Sequence, residues 1–280
     1  MILVFGKTGQ VATELQRLAP GARFLDRAEA DLSDPDTCAK RIAEIAPSAV
    51  INAAAYTAVD KAEEEEALAT VINGDAPGAM ARACAGLGVP MLHISTDYVF
   101  DGSGWTPWRP TDPVAPLNAY GRSKAAGETA IRDSGARHVI LRCSWVFSAH
   151  GGNFVKTMLR LSETRDALKV VDDQVGGPTP ARAIAAALLQ IARQLQEGRE
   201  GGTYHFAGRP MVSWAGFARE VFALSGRAVT VNEIDTRDYP TPARRPLNSR
   251  LDCATLETDF GIAPPDWRAG LAEVLQELQT

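Results

Sequence analysis

Tyr120-Gly-Arg-Ser-Lys124 sets a phenol and an ammonium four residues apart, which on a helix places them on one face. A free tyrosine titrates near pH 10 and exchanges protons poorly at neutrality. A lysine cation beside it favours the phenolate and draws the group toward the working range, as general acid catalysis requires. Alone, this spacing also describes an ordinary surface pair. A second string, Ser95-Thr96-Asp97-Tyr98-Val99-Phe100, follows an apolar run. Thr96 and Asp97 are therefore expected at the carboxyl end of a strand, where open α/β sheets bind ligands. The Thr96 hydroxyl is suited to hold the oxygen that Tyr120 protonates, and Asp97 to orient sugar hydroxyls. The competing reading makes the two a turn or cap pair.

A third string, Gly6-Lys-Thr8-Gly9-Gln10-Val11-Ala12, follows the first apolar run and opens an amphipathic stretch. Glycines there let the backbone turn tightly and approach a pyrophosphate, while the helix start offers free N–H groups. The spacing is G-x-x-G-x-x-A, with Ala12 in the helix-packing place of a third glycine. Asp26 lies about twenty residues further on, where an acidic side chain accepts from adenosine ribose hydroxyls. Arg27 beside it is suited to a 2′-phosphate, so the pair fits NADH and NADPH alike. Asp31 and Leu32 are expected near the adenine. Ala53, Ala54 and Ala55 end the next strand with small side chains that let a cofactor pass close.

These groups need a frame. The apolar runs Ile2–Phe5, Arg23–Leu25, Ala49–Ile51, Pro90–Ile94 and Val139–Leu141 alternate with helix-spaced stretches at Val11–Leu18, Cys38–Ile45, Ala67–Leu87 and Ala119–Arg132. Strands alternating with helices imply a parallel sheet covered on both faces. The expected fold is α/β, a Rossmann-like doubly wound parallel sheet with a smaller α+β C-terminal substrate lobe. Residues 1–145 would form the dinucleotide-binding domain, with a segment at about 180–205 returning to it, and 146–280 mainly the lobe. Further helices are expected at Phe154–Glu163, Ala181–Gln196, Trp214–Ser225 and Leu271–Leu278, with strands at Tyr204–Phe206 and Val229–Glu233. The run Glu63–Glu66, with Asp60 three residues before Glu63, reads as a capped, solvated helix start.

The remaining features mostly exclude. A net charge of −5 argues against a nucleic-acid surface. No apolar tract reaches the ~18 residues of a membrane span, and no charged leader or cleavage site suggests a signal peptide. The four cysteines, Cys38, Cys84, Cys143 and Cys253, have no paired spacing and suit a reducing, cytoplasmic setting. His93 sits in an apolar strand and reads as a hydrogen-bonded core histidine. His138, His150 and His205 read as structural or surface residues.

The motif order resembles the extended short-chain dehydrogenases/reductases. Longer strings resemble one family among them, the dTDP-4-dehydrorhamnose reductases: Phe5-Gly-Lys-Thr-Gly-Gln-Val11, Thr57-Ala-Val-Asp-Lys-Ala-Glu63, Pro116-Leu-Asn-Ala-Tyr-Gly121 and Asn153-Phe-Val-Lys-Thr-Met-Leu-Arg160. Asp173-Gln-Val-Gly-Gly-Pro-Thr179 and Pro242-Ala-Arg-Arg-Pro-Leu-Asn-Ser-Arg-Leu251 extend the likeness almost end to end. The resemblance implies NADPH- or NADH-dependent reduction of the 4-keto group of a dTDP-sugar, the last step in making the rhamnosyl donor for surface carbohydrate such as lipopolysaccharide. It implies Tyr120 as proton donor, Lys124 as its partner and ribose anchor, and Thr96 as the hydroxyl on the carbonyl. It further implies substrate contacts from Asp97 and Trp145, and from Asn153, Arg245 and Asn248 toward the nucleotide. Some members hold magnesium between subunits through glutamates. Glu14 matches one of these, but Arg182 stands where another is expected, and a cation there opposes a divalent ion. No metal is therefore expected, and the chain should be a monomer or a homodimer without a metal bridge.

Overall fold

The computed structural model describes residues 1–279. Five short strands build the first half: β1 (Ile2–Phe5), β2 (Arg23–Leu25), β3 (Ala49–Asn52), β4 (Met91–Thr96) and β5 (His138–Cys143). A sixth, β6 (Gly202–Phe206), pairs parallel with β5 and completes a sheet of order β6-β5-β4-β3-β1-β2. All five pairings in it are parallel. The doubly wound parallel sheet is as expected.

Alternate residues of each strand feed opposite cores, because successive side chains of a strand point to opposite faces. Val4, Ile51, Leu92, Val139 and Leu141 pack on one side with helices α1 (Gln10–Leu18) and Ala181–Gln196. Leu3, Phe5, Val50, Met91 and Ile140 pack on the other, against helices Pro35–Ile45 and Ala76–Leu87. That two-sided burial explains why the strands read as unbroken apolar runs.

From β1 the chain moves out to β2 and then crosses back past β1 to reach β3 on its other side, so a crevice opens between the carboxyl ends of β1 and β3. The stretch 67–87, expected as one helix, instead contains Glu66–Thr70, a wide π turn Val71–Asp75 and Ala76–Leu87. Pro77 is the reason: it lacks the N–H that would bond the Asn73 carbonyl in a regular helix.

Beyond β5 a separate apolar cluster forms around Phe147, Leu168, Phe217, Trp267 and Leu271. It carries the parallel strands Ala167–Val171 and Thr230–Ile234 and the helices Phe154–Ser162, Trp214–Ser225 and Trp267–Gln279. Ala167–Val171 escapes the sequence reading, since Lys169 at its centre interrupts the apolar run. A small sheet sets Asn248–Ser249 beside Val175–Gly176, and this brings the lobe to the end of β4.

Candidate active site

Thr96 is the last residue of β4, and its extended backbone turns directly into a short 3-10 segment, Asp97–Val99. The Thr96 hydroxyl accepts from the Tyr98 N–H and donates to Asp97 Oδ1 at 3.0 Å. Both residues are buried. The turn reading was thus correct as far as it went. The other Asp97 oxygen is buried with no partner. Burial pushes the Asp97 carboxyl up to about 6, against hydrogen bonding from Ser249 and Thr96.

Helix α2 (Ala119–Asp133) brings Tyr120 and Lys124 to this point. Its start is fixed by Asn118, whose Oδ1 accepts from the Gly121 N–H and whose amide donates to the Arg244 carbonyl. Gly121 is required by contact: a Cβ there would lie 2.2 Å from the Tyr98 carbonyl oxygen. The glycine in Tyr-Gly-x-x-Lys therefore lets the helix press onto the end of β4. The Tyr98 and Tyr120 rings meet edge to face at 5.6 Å.

Burial pushes the Tyr120 phenol above its ordinary range, opposed chiefly by its hydrogen bond with Thr96. The downward pull expected from Lys124 does not set the phenol's state. Lys124 is itself buried and held elsewhere, donating to the Ile94 carbonyl at 2.7 Å and touching His93 Nε2 at 3.0 Å. Burial lowers its ammonium to about 8.

Behind the cluster, Glu128 lies one turn beyond Lys124 on α2. It receives Arg142 through Nε at 2.8 Å and Nη2 at 2.6 Å, and the Ser95 hydroxyl at 2.6 Å. Burial would raise the Glu128 carboxyl, but Arg142 holds it below its usual range. This ion pair ties α2 to β4 and β5, and sequence reasoning missed it. The i, i+4 step from Lys124 to Glu128 was its one legible trace.

At the crevice end, Gly6 has φ +105°, and a Cβ there would meet the Ala53 carbonyl and the Ala54 nitrogen at 3.3 Å. Gly9 caps α1 with no side-chain hydrogen bond, leaving the first-turn N–H groups without a side-chain acceptor. Thr8 is exposed, Val11 is buried beneath it, and Ala53, Ala54 and Ala55 are half-buried along the rim. A cradle shaped by absent side chains and open to helix N–H groups fits a pyrophosphate. Gln10 is used internally: its amide oxygen accepts from Ser148 and Asn153.

Asp26 directly follows β2, accepts from the Ala28 and Glu29 N–H groups, and lies 3.5 Å from Lys7. Arg27 pairs with Asp31 at 2.9 Å and is largely exposed. Leu32 is buried in the sheet's core. At this edge of the crevice Asp26 thus faces Lys7, while Arg27, next in sequence, is turned to Asp31.

The lobe residues are placed differently. Trp145 adopts φ +49°, rare for a non-glycine residue, and its ring stacks on Trp214 at 3.5 Å. Asn153 caps helix Phe154–Ser162 through Oδ1, and its amide donates to Gln10 and the Ser148 carbonyl. Asn248 is buried and donates to the Ser103 and Thr106 carbonyls. Arg245 forks onto Asp60 at 2.5 and 2.7 Å.

Asp60 consequently caps no helix, contrary to expectation, because Arg245 and the Ala243 N–H take its carboxylate. Nor is the acidic run simply solvated. Glu63 accepts from the Ala119 N–H, Glu65 from the Tyr56 hydroxyl and Glu66 from Arg122. His205 is fully buried against Arg142.

Glu14, His150 and Glu277 bring ligand atoms within 4.8 Å of one another. However, Arg17 pairs with Glu277 at 2.5 Å and with Glu14 at 3.3 Å, and Arg182 lies 3.9 Å from Glu14. Carboxylates already facing two guanidinium groups are poor hosts for a divalent cation. No helix among the described residues is long and apolar enough to cross a membrane.

Comparison with known proteins agrees with this geometry. The family model described as RmlD substrate binding domain matches residues 1–280. A dTDP-4-dehydrorhamnose reductase of Sinorhizobium fredii is 46% identical, over 95% of this chain and 93% of that protein. The crystal structure of a dTDP-4-dehydrorhamnose reductase from Clostridium acetobutylicum superposes with a TM-score of 0.93 at 37% identity, covering 100% of this chain and 99% of that one. The Bacillus anthracis dTDP-4-dehydrorhamnose reductase, solved in complex with NADP, gives 0.91 at 33% identity, covering 99% and 98%. With the glycine cradle, the Thr96–Tyr120 contact and full-length identity of this order, the chain belongs to the dTDP-4-dehydrorhamnose reductase family.

Proposed function

We propose that this protein reduces the 4-keto group of dTDP-4-dehydro-L-rhamnose to dTDP-L-rhamnose, using NADPH or NADH. The observation that carries this reading is the meeting of buried Thr96 with half-buried Tyr120 at the end of β4, beside a glycine cradle in a chain of this family. The bound dinucleotide would supply hydride equivalents to the sugar C4; Gly6, Gly9 and the first turn of α1 would hold its pyrophosphate. Thr96 donates a hydrogen bond to the ketone oxygen once its one hydroxyl hydrogen turns to the substrate from Asp97 Oδ1, its acceptor in the free protein. Tyr120 gives its proton to that oxygen as negative charge develops there, so the C=O becomes CH–OH and one proton is taken from the protein. Because burial disfavours the phenolate, the phenol is kept protonated and ready to donate.

Asp26, with Asp31 beyond it, would face the adenosine, while Leu32, buried in the core, would only support that edge from behind. Lys7 and Arg27 nearby make NADPH the better fit, since two cations complement a 2′-phosphate. Asp97 and Trp145 border the sugar. Arg245, pinned by Asp60, would present its remaining face to the diphosphate, whereas Asn153 and Asn248 would act by shaping the lobe. The division into a dinucleotide domain at 1–145, returning near 180–205, and a nucleotide-sugar lobe at 146–280 is part of this proposal. So is a cytoplasmic location, suited to four unpaired buried cysteines.

The test is oxidation of NADPH and NADH with dTDP-4-dehydro-L-rhamnose and a panel of other 4-keto nucleotide sugars, with the product identified by NMR. Turnover confined to another sugar would overturn the substrate; no turnover on any would overturn the activity. The ion-paired Glu14 cluster further leads us to infer a monomer or a dimer that needs no metal. Sedimentation should give one mass with EDTA or with magnesium, and a magnesium-dependent dimer would refute this.

A further inference from the structure

His93 points inward from β4, fully buried, and both of its ring nitrogens are engaged. Nδ1 lies 3.1 Å from the Asn52 amide nitrogen, and Nε2 lies 3.0 Å from Lys124 Nζ. The orientation of Asn52 is not free, because its Oδ1 accepts from the Ala54 N–H at 3.1 Å. Its Nδ2 is therefore the group facing His93, and an amide nitrogen only donates. His93 Nδ1 must accept, so the ring's one proton sits on Nε2 and is aimed at Lys124.

An ammonium has three donors and no acceptor, so it cannot receive that proton. An uncharged amine can: its lone pair takes the His93 Nε2–H while one of its own hydrogens goes to the Ile94 carbonyl. We propose that His93, locked by Asn52 in the Nε2–H tautomer, is a positioning residue that favours the uncharged amine of Lys124 and makes that lysine a proton carrier in the working site. The alternative arrangement, His93 Nδ1–H with an ammonium donating to Nε2, would set two N–H groups against one another at Asn52.

Every group facing the lysine is consistent with an easily lost proton. Glu128 on the same helix favours the cation but is neutralised by Arg142. Cys143 from β5 is a buried thiol pushed well above its usual range, and so uncharged. Burial and the neighbouring Lys124 hold His93 well below its own usual range, which keeps the ring neutral. The role in turnover rests on the proposed reductase reading, in which each reduction draws one proton from Tyr120; the tautomer does not.

Two-bond 1H–15N correlation spectra of the 15N-labelled protein test the tautomer directly, with His93 assigned by its loss in His93→Gln. His93 should show a protonated Nε2 and a bare Nδ1 from pH 6.5 to 9, with a step between pH 7 and 9 that vanishes in Lys124→Met. A protonated Nδ1, or no step, would overturn the proposal, even in an active enzyme. In His93→Gln the amide carbonyl can accept from an ammonium, so the basic limb of kcat/KM against pH should move up by about one unit. An unmoved limb in a variant with native thermal stability would also overturn it. If no 4-keto sugar is reduced, the reductase reading fails while the spectra still decide the tautomer.

Discussion

The end of β4 and the C-terminal lobe both supply residues that sequence strings single out, yet their polar atoms are spent differently. At β4, Thr96 and Asp97 are buried with half-buried Tyr120 beside them, Thr96 donates to Asp97, and one Asp97 oxygen has no partner. In the lobe, Asn153 and Asn248 are occupied by caps and backbone carbonyls. Leaving a buried carboxylate oxygen unpaired costs stability; satisfying every amide hydrogen bond provides it. The contrast separates residues held ready for chemistry from residues that build the wall around it.

The strongest way to break this comparison is Tyr120→Phe. Removing the proton donor should lower kcat about 10²–10⁴-fold while dinucleotide affinity, read by fluorescence titration, stays near the parent value. Full turnover would make Tyr120 another wall residue.

Asp97→Asn should separate stability from activity. The folded carboxyl titrates at about 6 against 3.8 for a free one, so the folded state holds the proton more tightly. The cost of ionising it therefore grows as pH rises from 3.8 toward 6 and stays constant above. Replacing it should stabilise the protein at pH 7 by at most about 3 kcal/mol, shrinking to nothing below the unfolded value, while kcat/KM falls. Urea unfolding at pH 7 and pH 4 measures this; destabilisation at pH 7 would show that Asp97 is structural.

The lobe residues should behave in the opposite way. Asn248→Ala strands the Ser103 and Thr106 carbonyls and should cost about 1–3 kcal/mol. Asn153→Ala removes a helix cap and should cost about 1 kcal/mol. In both variants KM for the keto-sugar should change little once folding is complete. A large rise in KM without loss of stability would instead place these amides on the nucleotide.

Much of the fold was legible because burial on two faces leaves a plain mark. Strands β1 to β5 read as apolar runs, and Ala181–Gln196 and Trp214–Ser225 follow helical spacing to their ends. Legibility failed where a distant partner decided the outcome. Asp60 looked like a cap, but Arg245, 185 residues away, takes its carboxylate. Stretch 67–87 looked like one helix, yet it widens where Pro77 withholds an N–H and the Asn73 side chain bonds Tyr56 and Ser123 instead.

The sequence by itself determined the parallel sheet, the glycine turn and the order Thr96, Tyr120, Lys124, because periodicity and local spacing are properties of neighbouring residues. Only the tertiary structure decided which partners the ionisable groups of that cluster meet. Lys124 was expected to charge its helix neighbour Tyr120, but its amine lies in reach of His93 and the Ile94 carbonyl. Where a buried proton rests depends on which donors and acceptors the fold packs together, and β3, β4 and α2 meet only in space.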